Sequence, residues 1–197
     1  MAVTTEMVKK LRAMTNAGMM DVKRALEDAG GDLDKAAQLL RERGIAKADK
    51  KAEREAKEGV VGTYVHHNGK LAVLVEVNSE TDFVARNDVF KDLARNLAMH
   101  VAMANPQYVR REDVPEDIVA AEREALRKQA LEEGKPEAVA EKIVEGRLGK
   151  FFAETVLLEQ PYIKDDKKTV GDLVKEVAAT LGENIQVGRF ARIAVGE

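Results

Sequence analysis

Residues 60–86 read VVGTYVHHNGKLAVLVEVNSETDFVAR. Two runs of β-branched and aliphatic residues flank Asn68-Gly69, a pair suited to a two-residue type I′ turn, where both central residues need φ > 0. Pairing about that turn sends Val60, Tyr64, Leu71, Val73, Val75 and Val77 to one face. Val61, Thr63, Val65, Ala72 and Leu74 fall on the other. Both faces of the hairpin are therefore largely apolar. The stretch ends at a joint between strand and helix, where small polar residues are usual. Here the acid Asp82 is followed by the large ring of Phe83. Either the ring caps the corner from inside the core, or it is held out for something else. Residue type alone leaves both open.

Outward from this hairpin the pattern is helical. Phe90, Leu93, Ala94, Leu97 and Val101 share one side of a helix that begins near Asn87 and stops at Asn105-Pro106. A second helix is predicted from Pro115 to Glu133, and a third from Pro136, a good first helical residue, towards Phe152. Residues 157–168, LLEQPYIKDDKK, read as irregular or extended. Thr169 is placed to cap an amphipathic helix with Val170, Leu173, Val174, Val177 and Leu181, ended by Gly182. Residues 184–195, NIQVGRFARIAV, alternate Ile185, Val187, Ile193 and Val195 as a strand. Three antiparallel strands packed with helices make an α+β core over residues 59–197.

The first 45 residues have another organisation. Three short apolar stripes recur: Met7, Val8, Leu11 and Met14; Val22, Ala25, Leu26 and Ala29; Leu33, Ala36, Ala37 and Leu40. Thr4 or Thr5 can cap the first helix and Asp32 the third, with breaks at Asn16-Ala17-Gly18 and Gly30-Gly31. Gly44 is expected to stop the third. Helices this short are stable only when packed on one another, so a compact three-helix module is predicted. Residues 46–58 show only an alanine stripe and opposite charges four apart at Lys51–Glu55, Glu53–Lys57 and Arg54–Glu58. They are expected to form a solvated helix joining the module to the core.

Several chemistries are excluded or disfavoured. The chain has no cysteine, which rules out disulfides, thiolate catalysis and cysteine zinc sites. It carries no GxxxxGK[ST], GxGxxG or HExxH motif. His66 and His67 are strand neighbours facing opposite ways and cannot chelate one metal together, and His100 sits near the core face of its helix. No catalytic site, metal or cofactor is expected. A net charge of −3 argues against direct nucleic-acid binding. No run approaches a membrane span and no apolar leader segment opens the chain, so the cytoplasm is the expected location.

Two segments carry a resemblance. Leu11–Leu26, LRAMTNAGMMDVKRAL, and Glu76–Arg86, EVNSETDFVAR, resemble the two signature regions of the bacterial elongation factor Ts family. Asn16 stands where a glycine is common in that family. The run KIVEGRLGKFFAETVLLEQPYIKDDKKTV is also similar to its C-terminal part, so the resemblance covers nearly the whole chain in order. It implies that the three-helix module is of ubiquitin-associated type. It also implies an exchange factor for elongation factor Tu, engaging the GDP and nucleotide-free forms of that GTPase. Asp82 and Phe83 would intrude near its Mg²⁺ and switch region, with Thr81 and Val84 setting the turn. Arg12, Met19, Met20 and Lys23 of the module would form a second contact, and His66, Gln160, Tyr162 and Ile163 a weaker one. Two apolar sheet faces, only one of which following helices can cover, lead to the expectation of a homodimer. The rival readings are an adaptor that only binds a partner, and an enzyme.

Overall fold

The structure, a computed structural model, describes residues 3–15 and 17–197. Its elements run α1 (Thr5–Thr15), α2 (Met19–Asp28), α3 (Leu33–Asp49), β1 (Glu58–Val65), β2 (Leu71–Ser79), α4 (Asp82–Ala85) and α5 (Asp88–Ala104). They continue as α6 (Glu116–Glu132), α7 (Glu137–Thr155), β3 (Pro161–Tyr162), β4 (Asp165–Thr169), α8 (Val170–Leu181) and β5 (Gln186–Ala194). Strands and helices mix as an α+β fold. The chain forms two compact units. One gathers the chain up to Val60 with Asn78–Leu93 and Val174–Gln186; the other holds Val61–Val77, Ala94–Leu173 and Val187–Glu197.

In the first unit, α1, α2 and α3 close around Leu11, Val22, Ala25, Leu26, Ala36 and Leu40. These come from the three predicted stripes, whereas Met14 of the first stripe is exposed. Thr4 Oγ1 accepts from the Met7 N–H (3.2 Å), and Asp32 Oδ1 from the N–H groups of Asp34 and Lys35 (3.0 Å each). Both helix starts are thus capped as expected. Asn16, the departure from the family pattern, lies outside the described residues.

Two expectations about the end of this module are corrected. Gly44 does not stop α3. A Cβ there would lie 2.8 Å from the Ala179 Cβ of α8. The glycine instead lets the two helices touch, and the ion pairs Arg41–Glu176 (2.7 Å) and Lys175–Asp49 (2.9 Å) also join them. The joining segment is helical only to Asp49, and residues 50–54 turn. A continued helix would use the carbonyls of Ala52 and Arg54 internally. Here they accept from Asn184 Nδ2 at 3.2 and 2.5 Å, and Ala52 also accepts from Gln186 Nε2 at 3.0 Å. The Lys51 ammonium donates to the Gly182 carbonyl. Pairs worth a few tenths of a kcal/mol each cannot hold a helix against several tertiary hydrogen bonds of about 1 kcal/mol.

In the second unit the sheet runs β1-β2-β5. The hairpin turn differs from the type I′ expectation. The Gly69 N–H donates to the His66 carbonyl (2.8 Å), so the tight turn runs from His66 to Gly69. Gly69 has φ +69°, and Asn68 is not among the residues at positive φ. Asn68 Oδ1 instead accepts from the Lys70 N–H at 2.9 Å. The His66 N–H still donates to the Leu71 carbonyl, so the expected pairing survives. Val73, Val75 and Val77 are buried on the inner face, while Val61, Val65 and Leu74 are exposed on the outer one. Helix α5 lies directly on β1, because a Cβ on Gly62 would sit 2.2 Å from the Ala94 carbonyl oxygen.

The Val195 N–H donates to the Lys70 carbonyl (2.9 Å), and Arg189 pairs with Glu76 (2.8 Å). These two links run β5 antiparallel to β2. They place Ile193 with Ala72 and Leu74 on the outer face. The predicted alternation in β5 is therefore corrected: Ile185 and Val187 are buried, but Ile193 and Val195 are exposed. Helices α6 and α7 turn back on each other at Gly134 (φ +77°), with Val114, Leu148, Phe152 and Val156 as a local core. Residues expected to be irregular or extended include an antiparallel pair, β3 with β4. Thr169 caps α8 as predicted: its Oγ1 accepts from the Asp172 N–H (3.1 Å), and Asp172 Oδ2 accepts in return from the Thr169 N–H (3.0 Å).

Candidate partner-binding site

The corner after β2 is built from its own polar side chains. Ser79, fully buried, donates its hydroxyl to the Thr81 carbonyl at 3.0 Å. Thr81 is the N-cap of α4, accepting from the Val84 N–H at 3.4 Å. The single helical turn that follows buries Ala85 and half-buries Val84. With those two turned inward, the helical period points Phe83 outward. Its ring is 80% exposed, the most exposed large apolar side chain described. Asp82 beside it pairs with Arg86 at 2.8 Å. Of the two readings the sequence left open, the ring is held out and does not cap the core.

On the module, Met19 and Met20 open α2 after Gly18 and are 59% and 62% exposed. Arg12 is exposed near the end of α1. Lys23 is exposed too, and sits 3.9 Å from Glu27 one turn on. Two adjacent methionines, both outside the packed core, form an adaptable apolar surface. These four residues and the corner belong to the same unit.

The weaker set in the other unit does not come together as a surface. Gln160 (4% exposed) and Tyr162 (5%) are buried, so the free chain does not present either side chain at its surface. Gln160 is used up internally: Oε1 meets His100 Nε2 at 2.9 Å, and Nε2 donates to the carbonyls of Glu154 (2.8 Å) and Ala104 (3.3 Å). Ile163 remains exposed. His66 is half-buried, with Nδ1 2.9 Å from the Tyr64 hydroxyl.

Sequence reasoning missed Glu183. Its carboxylate meets the corner from a position about a hundred residues on, accepting from Glu80 N–H (3.1 Å), Thr81 N–H (3.0 Å) and Thr81 Oγ1 (2.6 Å). A glutamate just after a helix-ending glycine carries no local signal of that role. Among the described residues no group of three or more His, Cys, Asp or Glu could hold a metal ion, and no helix is long and apolar enough to cross a membrane.

Comparison with known proteins agrees with the two signature segments. The family model described as Elongation factor TS matches residues 2–197. The chain is 58% identical over 195 residues to Elongation factor Ts of Carboxydothermus hydrogenoformans, covering 99% of this chain and 90% of that protein. It is 55% identical over 196 residues to Elongation factor Ts of Solidesulfovibrio magneticus, covering 100% and 98%. For Elongation factor Ts of Thermosipho melanesiensis the figures are 53% over 195 residues, 99% and 100%. Matched over residues 2–197 by the family model and at this identity to full-length relatives, the chain belongs to the elongation factor Ts family.

Proposed function

We propose that this chain is a translation elongation factor that speeds GDP release from elongation factor Tu by pressing the Asp82-Phe83 corner into the GTPase near its Mg²⁺ and switch region. The observation that carries the reading is the 80% exposure of Phe83 on a corner whose backbone is tied down. A ring left in water costs the free protein solubility and wins nothing in its own core. Buried in a partner, it gains about 1.5–3 kcal/mol. A P-loop GTPase holds GDP through backbone amides around the phosphates and a Mg²⁺ of near-fixed octahedral geometry. Moving the elements that position the Mg²⁺ ligands is sufficient to loosen the nucleotide. Thr81 and Val84 set the turn, and Arg12, Met19, Met20 and Lys23 supply a second contact that holds the factor in place. The factor needs no active site or cofactor of its own. It works in the cytoplasm on the GDP and nucleotide-free forms of the GTPase, with residues 1–45 as the docking module and 59–197 as the core.

The same reading includes a homodimer. Val61, Val65, Leu74, Ile193 and Val195 leave the outer sheet face apolar and open. A second copy can cover it sheet to sheet about a two-fold axis, without a covalent bond.

Release of labelled GDP from purified elongation factor Tu, with and without the protein, tests the main claim. Acceleration at sub-stoichiometric concentration supports it. Binding with an unchanged release rate would make the chain an adaptor instead.

A further inference from the structure

A helical turn of four residues does not hold its own geometry, because one turn fixes several dihedrals for a single hydrogen bond. The direction in which Phe83 points must therefore be set from outside α4. The contacts at its entry identify the source. Glu183 Oε2 accepts from two consecutive N–H groups, Glu80 at 3.1 Å and Thr81 at 3.0 Å. Its Oε1 accepts the Thr81 hydroxyl at 2.6 Å. With its proton given to Glu183, that hydroxyl keeps lone pairs for the Val84 N–H inside α4. Glu80 answers through Oε1, which accepts from the Asn184 N–H at 2.7 Å. Each segment thus lends a carboxylate to the other's backbone. The next side chain carries the tie further: Asn184 Nδ2 holds the carbonyls of Ala52 and Arg54, where the chain leaves the three-helix module.

We propose that Glu183 is a positioning residue for nucleotide release. It fixes the backbone of Glu80 and Thr81, and through Thr81 the first turn of α4, so that Phe83 is presented in one orientation before the partner arrives. Half-buried behind the corner, Glu183 acts through Phe83 and not by touching the GTPase. An acceptor with two oxygens suits three donors, and a charged acceptor makes stronger hydrogen bonds than a neutral one. Pre-setting the ring removes the entropy of ordering the corner from the step in which the docked factor drives the ring into the GTPase, so its loss falls on the rate of release. This inference rests on the wedge reading of Phe83.

The test compares Glu183→Ala, Glu183→Gln, Phe83→Ala and the double variant Glu183→Ala/Phe83→Ala in the full chain. Maximal GDP release at saturating factor and the half-saturating concentration are measured separately. Glu183→Ala should lower the maximal rate about tenfold, within the roughly hundredfold that a misplacement of a working group by about 1 Å can cost. The half-saturating concentration should change much less, since Met19 and Met20 are untouched. Glu183→Gln keeps an oxygen for the two N–H groups and an amide donor for the Thr81 hydroxyl, so it should restore most of the rate. On the Phe83→Ala background, Glu183→Ala should add little. If Glu183→Ala does not fold, Glu183→Asp, which keeps the charge but withdraws the carboxylate, carries the same expectation. A wild-type rate in Glu183→Ala beside an impaired Phe83→Ala overturns the positioning role alone. Equal loss in the Gln and Ala variants, or full additivity in the double variant, also overturns it. Unimpaired release by Phe83→Ala overturns the wedge reading beneath it.

Discussion

His100 Nε2 lies 2.9 Å from Gln160 Oε1, and both side chains are buried. The Ile163 N–H points at the other ring nitrogen, Nδ1, at 3.3 Å. Nδ1 therefore accepts, Nε2 carries the proton, and the imidazole is neutral. Tyr162 packs beside it with ring centroids 6.0 Å apart. Burial lowers the His100 pKa from its ordinary 6.5, and the Gln160 hydrogen bond offsets part of that shift. The unfolded chain binds this proton more readily than the folded one. The stability linked to His100 is thus fully present above pH about 6.5 and is lost as pH falls from there towards the depressed folded-state pKa. Urea midpoints should fall between pH 7.5 and 5.5, and His100→Gln should flatten that part of the profile. An unchanged slope in the variant would assign the effect to other groups.

Phe83→Ala should cut catalysed GDP release tenfold or more, about 1.4 kcal/mol, as for a central interface aromatic. The melting temperature of the free protein should stay within a degree or two of wild type, because the ring touches water and not the core. Stopped-flow release and a thermal melt read the two quantities independently. Asp82→Ala should act in the same direction with a smaller effect.

Met19→Ser/Met20→Ser should raise the half-saturating concentration in the same assay while leaving the maximal rate near wild type. In the proposed function these residues hold the partner and do not disturb its Mg²⁺ site. A fall in maximal rate with unchanged half-saturation would reverse that division of labour.

Three glycine positions should respond in two opposite senses. A Cβ at Gly146 or Gly149, both inside α7, meets nothing within 4 Å. Each change to alanine should stabilise the fold by about 0.5–1 kcal/mol, the helix-interior cost of glycine. At Gly62 the same methyl would sit 2.2 Å from the Ala94 carbonyl oxygen. Gly62→Ala should cost about 3 kcal/mol, since backbone must move. Chemical denaturation of the three variants checks the contrast.

Leu74→Lys places a charge on the open sheet face. Sedimentation equilibrium from nanomolar to micromolar concentration should show the wild-type mass doubling and the variant remaining a monomer. A wild-type mass that stays single to high micromolar concentration would show that the outer face needs no second copy.

The sequence determined the elements whose signals are local. The stripes of the three-helix module, the alternation in β1 and β2, the run from Phe90 to Val101, and the caps at Thr4, Asp32 and Thr169 all depend on side chains within a few positions of each other. The joint at Asp82-Phe83 was legible too, as a strand-to-helix corner carrying a ring whose direction residue type left open. What the tertiary structure decided are the points where local and distant bonds competed. Gly44 resembles a stop signal, but Ala179 gives it a packing role, so α3 continues past it. Residues 50–54 resemble a charged helix, but Asn184 and Gln186 claim their carbonyls. Gln160 resembles an exposed polar residue in an extended strip, but a buried histidine and two carbonyls use its whole amide. Glu183 is silent in sequence and becomes the support of the corner only when folding brings it to Thr81. In each case the deciding partner lies far along the chain. A hydrogen bond or van der Waals contact is set by distance in space, which sequence spacing encodes only within one turn or one strand.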